Sequence, residues 1–279
     1  MKKIRFVKKS KSGLKRNPID KFYTKPDTVK LCSQTIFKSI SIDPNDDLVI
    51  EPSAGDGAFI EAITKITQNY LFYDIKPEHN LIKEKDYLKM DYTQLNYPNI
   101  HIIGNPPFGR QSCMAIKFIK YSAQFCSTIS FILPKSFKKE SMKARVPLQF
   151  HLICEIDLPI NSFTLNNNDH HVPCIFQVWA KKKDKRILPE KIKPTNYTFV
   201  KKTDVHDISF RRVGINAGTI STQTKNNSIQ SHYFIKINNF TPELFDKLSK
   251  IQFKSSIDTV GPKSISKPEL IREYNRLIL

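Results

Sequence analysis

The run Gly104-Asn105-Pro106-Pro107-Phe108-Gly109 follows the apolar residues His101-Ile102-Ile103, and its residue types suit one kind of chemistry. Two adjacent prolines fix φ and remove two backbone donors, so the corner offers acceptors only, the Asn105 side-chain oxygen and the Pro106 carbonyl. An exocyclic amine fits such a corner. It has two N–H donors, and holding both turns its lone pair toward an incoming electrophile, while Phe108 supplies a flat face on which a heteroaromatic ring can stack. The apolar run places this tetrapeptide at the carboxyl end of a buried strand, where open α/β sheets bind their ligands. A plain tight turn with Phe108 as a core aromatic is the alternative reading of the same residues.

A second segment, Asp47-Leu48-Val49-Ile50-Glu51-Pro52-Ser53-Ala54-Gly55-Asp56-Gly57-Ala58-Phe59, reads as a short strand ending in an acid, a Gly-x-Gly turn, and a helix through Ile60-Glu61-Ala62-Ile63. Glycine lets backbone approach a ligand closely. With Gly55 and Gly57 but no third glycine, and with Glu51 ahead of them, the segment argues against the dinucleotide fingerprint and its pyrophosphate. A ligand without phosphates that carries an ammonium and a sulfonium tolerates Glu51 and Asp56, and S-adenosylmethionine is such a ligand. The chain has only eight glycines, and Gly55, Gly57, Gly104 and Gly109 all fall in these two segments.

Together, Glu51-Pro52-Ser53-Ala54-Gly55-Asp56-Gly57 and Asn105-Pro106-Pro107-Phe108 resemble the class I S-adenosylmethionine-dependent amino-methyltransferases, specifically their adenine-N6 branch with its Asn-Pro-Pro-Phe motif. The resemblance spans roughly residues 20 to 181. It implies that Asn105, Pro106, Pro107 and Phe108 are catalytic, and that Glu51, Gly55, Gly57 and Asn105 hold the cofactor. Lys21-Phe22-Tyr23-Thr24-Lys25-Pro26 is similar to a Phe-x-Thr-Pro element of the group, which implies that Tyr23 and Thr24 touch the methionine end, although here Lys25 precedes the proline. Leu71-Phe72-Tyr73-Asp74 reads as the second strand, with Asp74 implied to accept from the ribose hydroxyls. Lys85-Asp86-Tyr87-Leu88 matches the element whose aspartate, Asp86, takes the adenine amine, with Asp91 as a nearby competitor. Related motifs occur in enzymes that methylate a guanine amine in ribosomal RNA or a glutamine amide in release factors.

Charge narrows the substrate. Lys and Arg number 45 against 26 Asp and Glu, a net charge of +19. The excess is uneven: residues 181–279 hold 20 basic and 9 acidic side chains, and the first sixteen residues hold eight basic and none acidic. Basic flanks around a near-neutral centre suit a polyanion. The expected organisation is therefore a basic flexible arm (1–19), a catalytic domain (20–183) and a basic C-terminal substrate-recognition module (184–279). The expected partner is nucleic acid, with DNA ahead of RNA. RNA methylation at adenosine N6, including beside a cap, methylation of guanine N2, and a non-catalytic nucleic-acid-binding subunit stay open as alternatives. Beside Phe108, the candidate substrate contacts are Arg110 after the motif, Lys135 after the neighbouring strand, and Arg211 and Arg212 in the C-terminal part. Asn161 to Val172 reads as a polar, asparagine-rich loop overhanging the site, where Ser162 and Phe163 are further candidates to meet a substrate base.

No apolar run reaches the length of a membrane span and no hydrophobic signal region follows the first lysines, so an intracellular protein, cytoplasmic or nuclear, is expected. Five cysteines without a Cys-x-x-Cys pair read as reduced and mostly buried thiols. His170 and His171 are adjacent, point apart, and lack the partners of a metal site, so no metal is expected.

The elements that must position these residues alternate. Helical spacing runs through Pro26 to Ile40, residues 112 to 126, and a basic stretch Lys135 to Arg145; strands are expected at Thr128 to Leu133, His151 to Leu158 and Val172 to Lys181. The lysine-rich run Lys181 to Arg186 reads as a linker. Beyond it, Ser231 to Ile237 reads as a strand, with helices over Glu243 to Phe253 and Pro268 to Leu279, the latter capped by Ser266. The expected class is α/β, a doubly wound and mostly parallel Rossmann-like sheet, with a small basic α+β module after it. The resemblance adds that the sheet has seven strands, the last inserted antiparallel.

Overall fold

The computed structural model describes residues 22–165 and 168–278. The basic arm expected over residues 1–19 lies outside them. The chain enters by β1 (Tyr23–Thr24) and helix α1 (Pro26–Ser39), whose first residue has its φ preset by the proline ring. Val29, Cys32 and Ile36 recur at helical spacing and are the buried stripe of α1. There follow β2 (Leu48–Glu51), α2 (Ile60–Thr64), β3 (Tyr70–Asp74), β4 (Lys83–Glu84), β5 (Ile100–Gly104), α3 (Cys113–Ser122), β6 (Thr128–Pro134), α4 (Glu140–Lys143), β7 (Phe150–Asp157), the hairpin β8 (Phe163–Leu165) and β9 (Asn168–His170), and β10 (Cys174–Lys181).

Seven of these strands form one sheet in the order β4-β3-β2-β5-β6-β10-β7. β4, β3, β2, β5 and β6 run parallel, while β10 slots between β6 and β7 and is antiparallel to both. This is a Rossmann-like, mostly parallel sheet of seven strands with the late strand inserted antiparallel, as expected. Every residue of β2, β5 and β6 is buried, as in a sheet covered on both faces. Successive side chains go to opposite faces. Ile50, Ile102 and Phe131 join one apolar cluster with Phe118 and Trp179, and Val49, Ile103 and Ile132 join another with Cys32 and Phe176. At the amino edge the buried His101 is satisfied by Thr128 Oγ1 at 2.7 Å and Asp47 Oδ2 at 3.1 Å.

The C-terminal part builds a second sheet from β11 (Tyr197–Val200), β12 (Ile208–Arg211), β13 (Ile220–Ser221) and β14 (His232–Ile237), in the order β11-β14-β12-β13, all antiparallel. Helices α5 (Pro242–Ser249) and α6 (Lys267–Tyr274) complete a separate apolar cluster around Tyr197, Phe210, Ile235, Leu270 and Tyr274. Ser266 caps α6 as the sequence indicates, in a reciprocal capping box with Glu269.

Two expectations are corrected. Residues 135–145 do not form one basic helix: a 3-10 turn (Lys135–Lys138) and the single turn of α4 are separated by extended Lys139, because only Phe137 is buried there and no apolar stripe drives a continuous helix. The stretch 161–172 is not simply a loop, since β8 pairs with β9 and adds antiparallel to β1. The linker after Lys181 is pinned, with the Arg186 guanidinium lying over Trp179 and donating to the carbonyls of Val146 and Phe150. Cys32, Cys126 and Cys174 are buried, but Cys113 at the start of α3 is exposed. Among the described residues no helix is long and apolar enough to cross a membrane, and no three or more His, Cys, Asp or Glu side chains are grouped to hold a metal ion.

Candidate active site

The carboxyl ends of four neighbouring strands open into one cleft of about 490 Å³. Sheet order lays out its polar groups in a row: Asp86 beyond β4, Asp74 ending β3, Glu51 ending β2, and Asn105 just after β5. Three inter-strand spacings separate the first from the last, about 14 Å. Tyr23, Thr24, Gly55, Pro106, Pro107 and Phe108 line the same cleft.

The glycine turn shapes its middle. Gly57 sits at φ 89°, and a Cβ there would meet Ile60 Cδ1 at 2.6 Å. Gly57→Ala is expected to cost about 2 kcal/mol from the left-handed backbone. Urea unfolding reads this directly, and an unchanged midpoint would remove the turn from the site's requirements. Gly55 N–H donates to Asp74 Oδ2 at 2.8 Å, and Lys76 N–H to Asp74 Oδ1 at 2.8 Å, so the carboxylate is fixed while each oxygen keeps a further lone pair. Asp86 caps the 3-10 turn Tyr87–Lys89 by accepting from Leu88 N–H, and it lines the cleft. The competitor Asp91 instead accepts from Thr93 and is exposed, so the structure brings Asp86 into the row and leaves Asp91 out.

Glu51 is the anomaly. It is only 2% exposed, and among the described residues its Oε2 accepts no hydrogen bond. Burial pushes its carboxyl well above the usual range, and the neighbouring Asp56 and Asp74 push it further. Gly104 has no side chain because none fits: a Cβ would lie 3.0 Å from Glu51 Cγ. A cation placed against such an acid would draw off its proton and pair with it, and the Asp56 and Asp74 carboxylates beside it disfavour a pyrophosphate.

Asn105 is held from both sides. Its Nδ2 donates to Thr24 Oγ1 at 3.2 Å, which leaves Oδ1 as the acceptor for a ligand. Ser53 Oγ donates to the Asn105 carbonyl at 3.2 Å, tying the glycine segment directly to the diproline corner. Phe108 is buried, lines the cleft, and its carbonyl accepts from Met114 N–H at the start of α3. Tyr23 also lines the cleft, and its hydroxyl donates to the Glu78 carboxylate at 2.9 Å.

The other sequence candidates fall elsewhere. Ser162 and Phe163 are buried, Ser162 Oγ donating to Pro159 O and Phe163 packing beside Phe22, so neither can meet a substrate. Their role is to brace β1 and through Thr24 the Asn105 amide. Arg110 is exposed in the turn Arg110–Ser112 next to the diproline corner, outside the cleft lining. Lys135 is partly buried after β6 and is also outside it. Arg211 ends β12 in the second sheet and Arg212 follows it. Sequence reasoning missed Ile75, Leu88, Met114 and Phe118, the apolar wall of the cleft. Periodicity marks Met114 and Phe118 as one face of a helix, with no signal for which cavity that face borders.

No family model matches the chain, and no curated protein does. Among solved structures it is similar to the N-methyltransferase NodS of Bradyrhizobium japonicum in complex with S-adenosyl-L-homocysteine (11% identity, 56% of this chain and 87% of NodS, TM-score 0.41). It is similar also to a dimethyladenosine transferase of Plasmodium falciparum (14% identity, 58% and 64% of the two chains, TM-score 0.38) and to an rRNA methylase of Streptococcus thermophilus (7% identity, 55% and 96%, TM-score 0.37). Likenesses this slight carry no chemistry to the chain.

Proposed function

We propose that the chain is a class I S-adenosylmethionine-dependent methyltransferase that transfers a methyl group to the N6 amine of adenine in nucleic acid, with DNA as its first substrate. The observation that carries this reading is the row Asp86, Asp74, Glu51, Asn105 along a single cleft. Read in that order, the groups match the adenine amine, the ribose hydroxyls, the ammonium and the reacting end of one elongated cation. The unpaired Glu51 Oε2 is the fit test for the ammonium, and the diproline corner is the fit test for an amine.

Bound there, S-adenosylmethionine supplies an electrophilic methyl group. The residues of the chain do the rest by placement. Phe108 stacks on the extruded base, and Asn105 Oδ1 and the Pro106 carbonyl accept the two amine hydrogens, which aims the nitrogen lone pair along the cleft. Thr24 keeps the amide from turning its nitrogen toward the amine. No strong base is required, because the nitrogen sheds its proton readily once alkylated.

The test is a methyl-label assay on the purified chain with DNA, RNA and a release factor in parallel, followed by digestion to nucleosides. Label in N6-methyladenine of DNA is the expected result. Label in RNA or in guanine would move the substrate, and label in none of the three would overturn the reading.

A further inference from the structure

A second concavity, of about 570 Å³, lies in the C-terminal sheet, away from the cleft. Its walls combine two aromatic rings, Phe199 and Tyr233, with the cations of Lys201, Lys202 and Lys267. The rings meet edge to face at 5.5 Å, Lys267 Nζ stands 4.1 Å over the Phe199 ring, and the Arg212 guanidinium lies 5.5 Å over Tyr233. Lys267 and Arg212 stand on ring faces, with Lys201 in the groove wall, and among the described residues none of the three pairs with a carboxylate; the Arg212 Nη2 donates to the Gln230 carbonyl at 2.7 Å. The acids nearby are already engaged. Glu269 closes the cap of α6 and faces Lys139 at 3.5 Å, and Asp204 accepts from the Lys201 backbone N–H. Lys202 is tied to the carbonyls of Lys225 and Asn227, which fixes its charge at the wall.

The groove is also attached to the catalytic edge of the large sheet. Lys139 follows β6, whose carboxyl end lies beside that of β5, and its Nζ donates to Ser264 O at 2.7 Å. Ser264 and Ile265 pair in turn with the Val213 and Arg212 backbone, and Lys267 is the first residue of α6. The clamp therefore joins the diproline side of the sheet to the segment that carries Arg212 and Lys267.

We infer that this groove binds an unpaired nucleotide flanking the methylated base, with its phosphates on Lys201, Lys267 and Arg212 and its base against Tyr233 and Phe199. Aromatic rings beside cations that no carboxylate neutralises are what single-stranded nucleic acid selects, since every base has a π face and every linkage a charge. The inference rests on the proposed nucleic-acid substrate but is tested without turnover.

The measurement is fluorescence anisotropy of the full chain with a labelled single-stranded oligonucleotide, in DNA and RNA forms, across a salt series. Tyr233→Ala is expected to weaken binding about tenfold. Lys267→Glu, at an exposed site, is expected to weaken it at least as much, and Lys267→Ala to lower the salt slope by about one. Lys191→Ala, an exposed lysine outside the groove, should do neither. Should Tyr233→Ala fold poorly, the two Lys267 variants decide the matter alone. Equal binding by parent and Lys267 variants would overturn the inference, as would polyglutamate competing as well as the oligonucleotide at matched charge. Tight, groove-dependent binding by a chain that methylates no nucleic acid would leave the groove standing and sink the proposed reaction instead.

Discussion

Asn105→Ala is expected to lower the methyl-transfer rate by about a hundredfold to a thousandfold, the scale for deleting one preorganised hydrogen-bonding group from a reacting centre, while S-adenosylmethionine binding changes little. The separation follows from where Asn105 stands. Its amide nitrogen is turned to Thr24 Oγ1, so its oxygen is the part offered to a ligand, and it sits at the end of the row while Glu51, Asp74 and Asp86 occupy the rest. Loss of the Thr24 bond should cost the fold about 1 kcal/mol, so the variant remains folded for assay. Initial rates on saturating substrate, with calorimetric titration of the cofactor in parallel, give the two numbers. A rate within twofold of the parent would remove Asn105 from the chemistry, whatever the fold.

Glu51→Gln is expected to move stability and binding in opposite directions. The Glu51 carboxyl is pushed up first by burial and then by Asp56 and Asp74. Below the ordinary carboxylate range it is neutral in both folded and unfolded chains and costs nothing. Above that range the unfolded chain has released the proton that the folded chain retains, so stability falls as pH rises until the folded group also ionises. Gln carries no such proton, and the thermal midpoint of the variant should exceed the parent at pH 8 and lose the part of its pH dependence due to Glu51. Cofactor affinity should fall roughly tenfold or more, because the proposed site loses the one carboxyl that could release its proton to pair with the ligand's ammonium. A parent whose midpoint is flat from pH 5 to 8, or a variant that binds the cofactor as well as the parent, would contradict the assignment. If the chain were a non-catalytic subunit on the same fold, titration with the cofactor would show no heat for either protein.

Much of this was legible along the chain because the signals are local. Gly55 and Gly57 mark a turn that only glycine takes without strain, the all-buried runs of β2 and β5 mark central parallel strands, and the diproline corner follows from two fixed φ angles wherever it occurs. Ser266 ahead of a proline announced the cap of α6 for the same reason, and the structure adds its reciprocal partner Glu269. Where local pattern was weak it misled. A lysine-rich stretch after β6 has helix-forming residues but no apolar face to hold a helix down, and the asparagine-rich stretch before β10 looked like a loop because its partner strand, β1, lies far away in the chain.

By itself the sequence determined which groups are on offer: a diproline corner of acceptors, an acid ahead of a glycine turn, and a surplus of basic side chains. Only the tertiary structure decided how those parts stand together. Strand order set Asp86, Asp74, Glu51 and Asn105 in one row and left Asp91 outside. Long-range pairing buried Phe163 against the base of the site and made Thr24 the keeper of the Asn105 amide. The physical reason is that residue type fixes what a group can donate or accept, whereas its neighbours, its burial and therefore its charge depend on contacts between segments that no local pattern encodes.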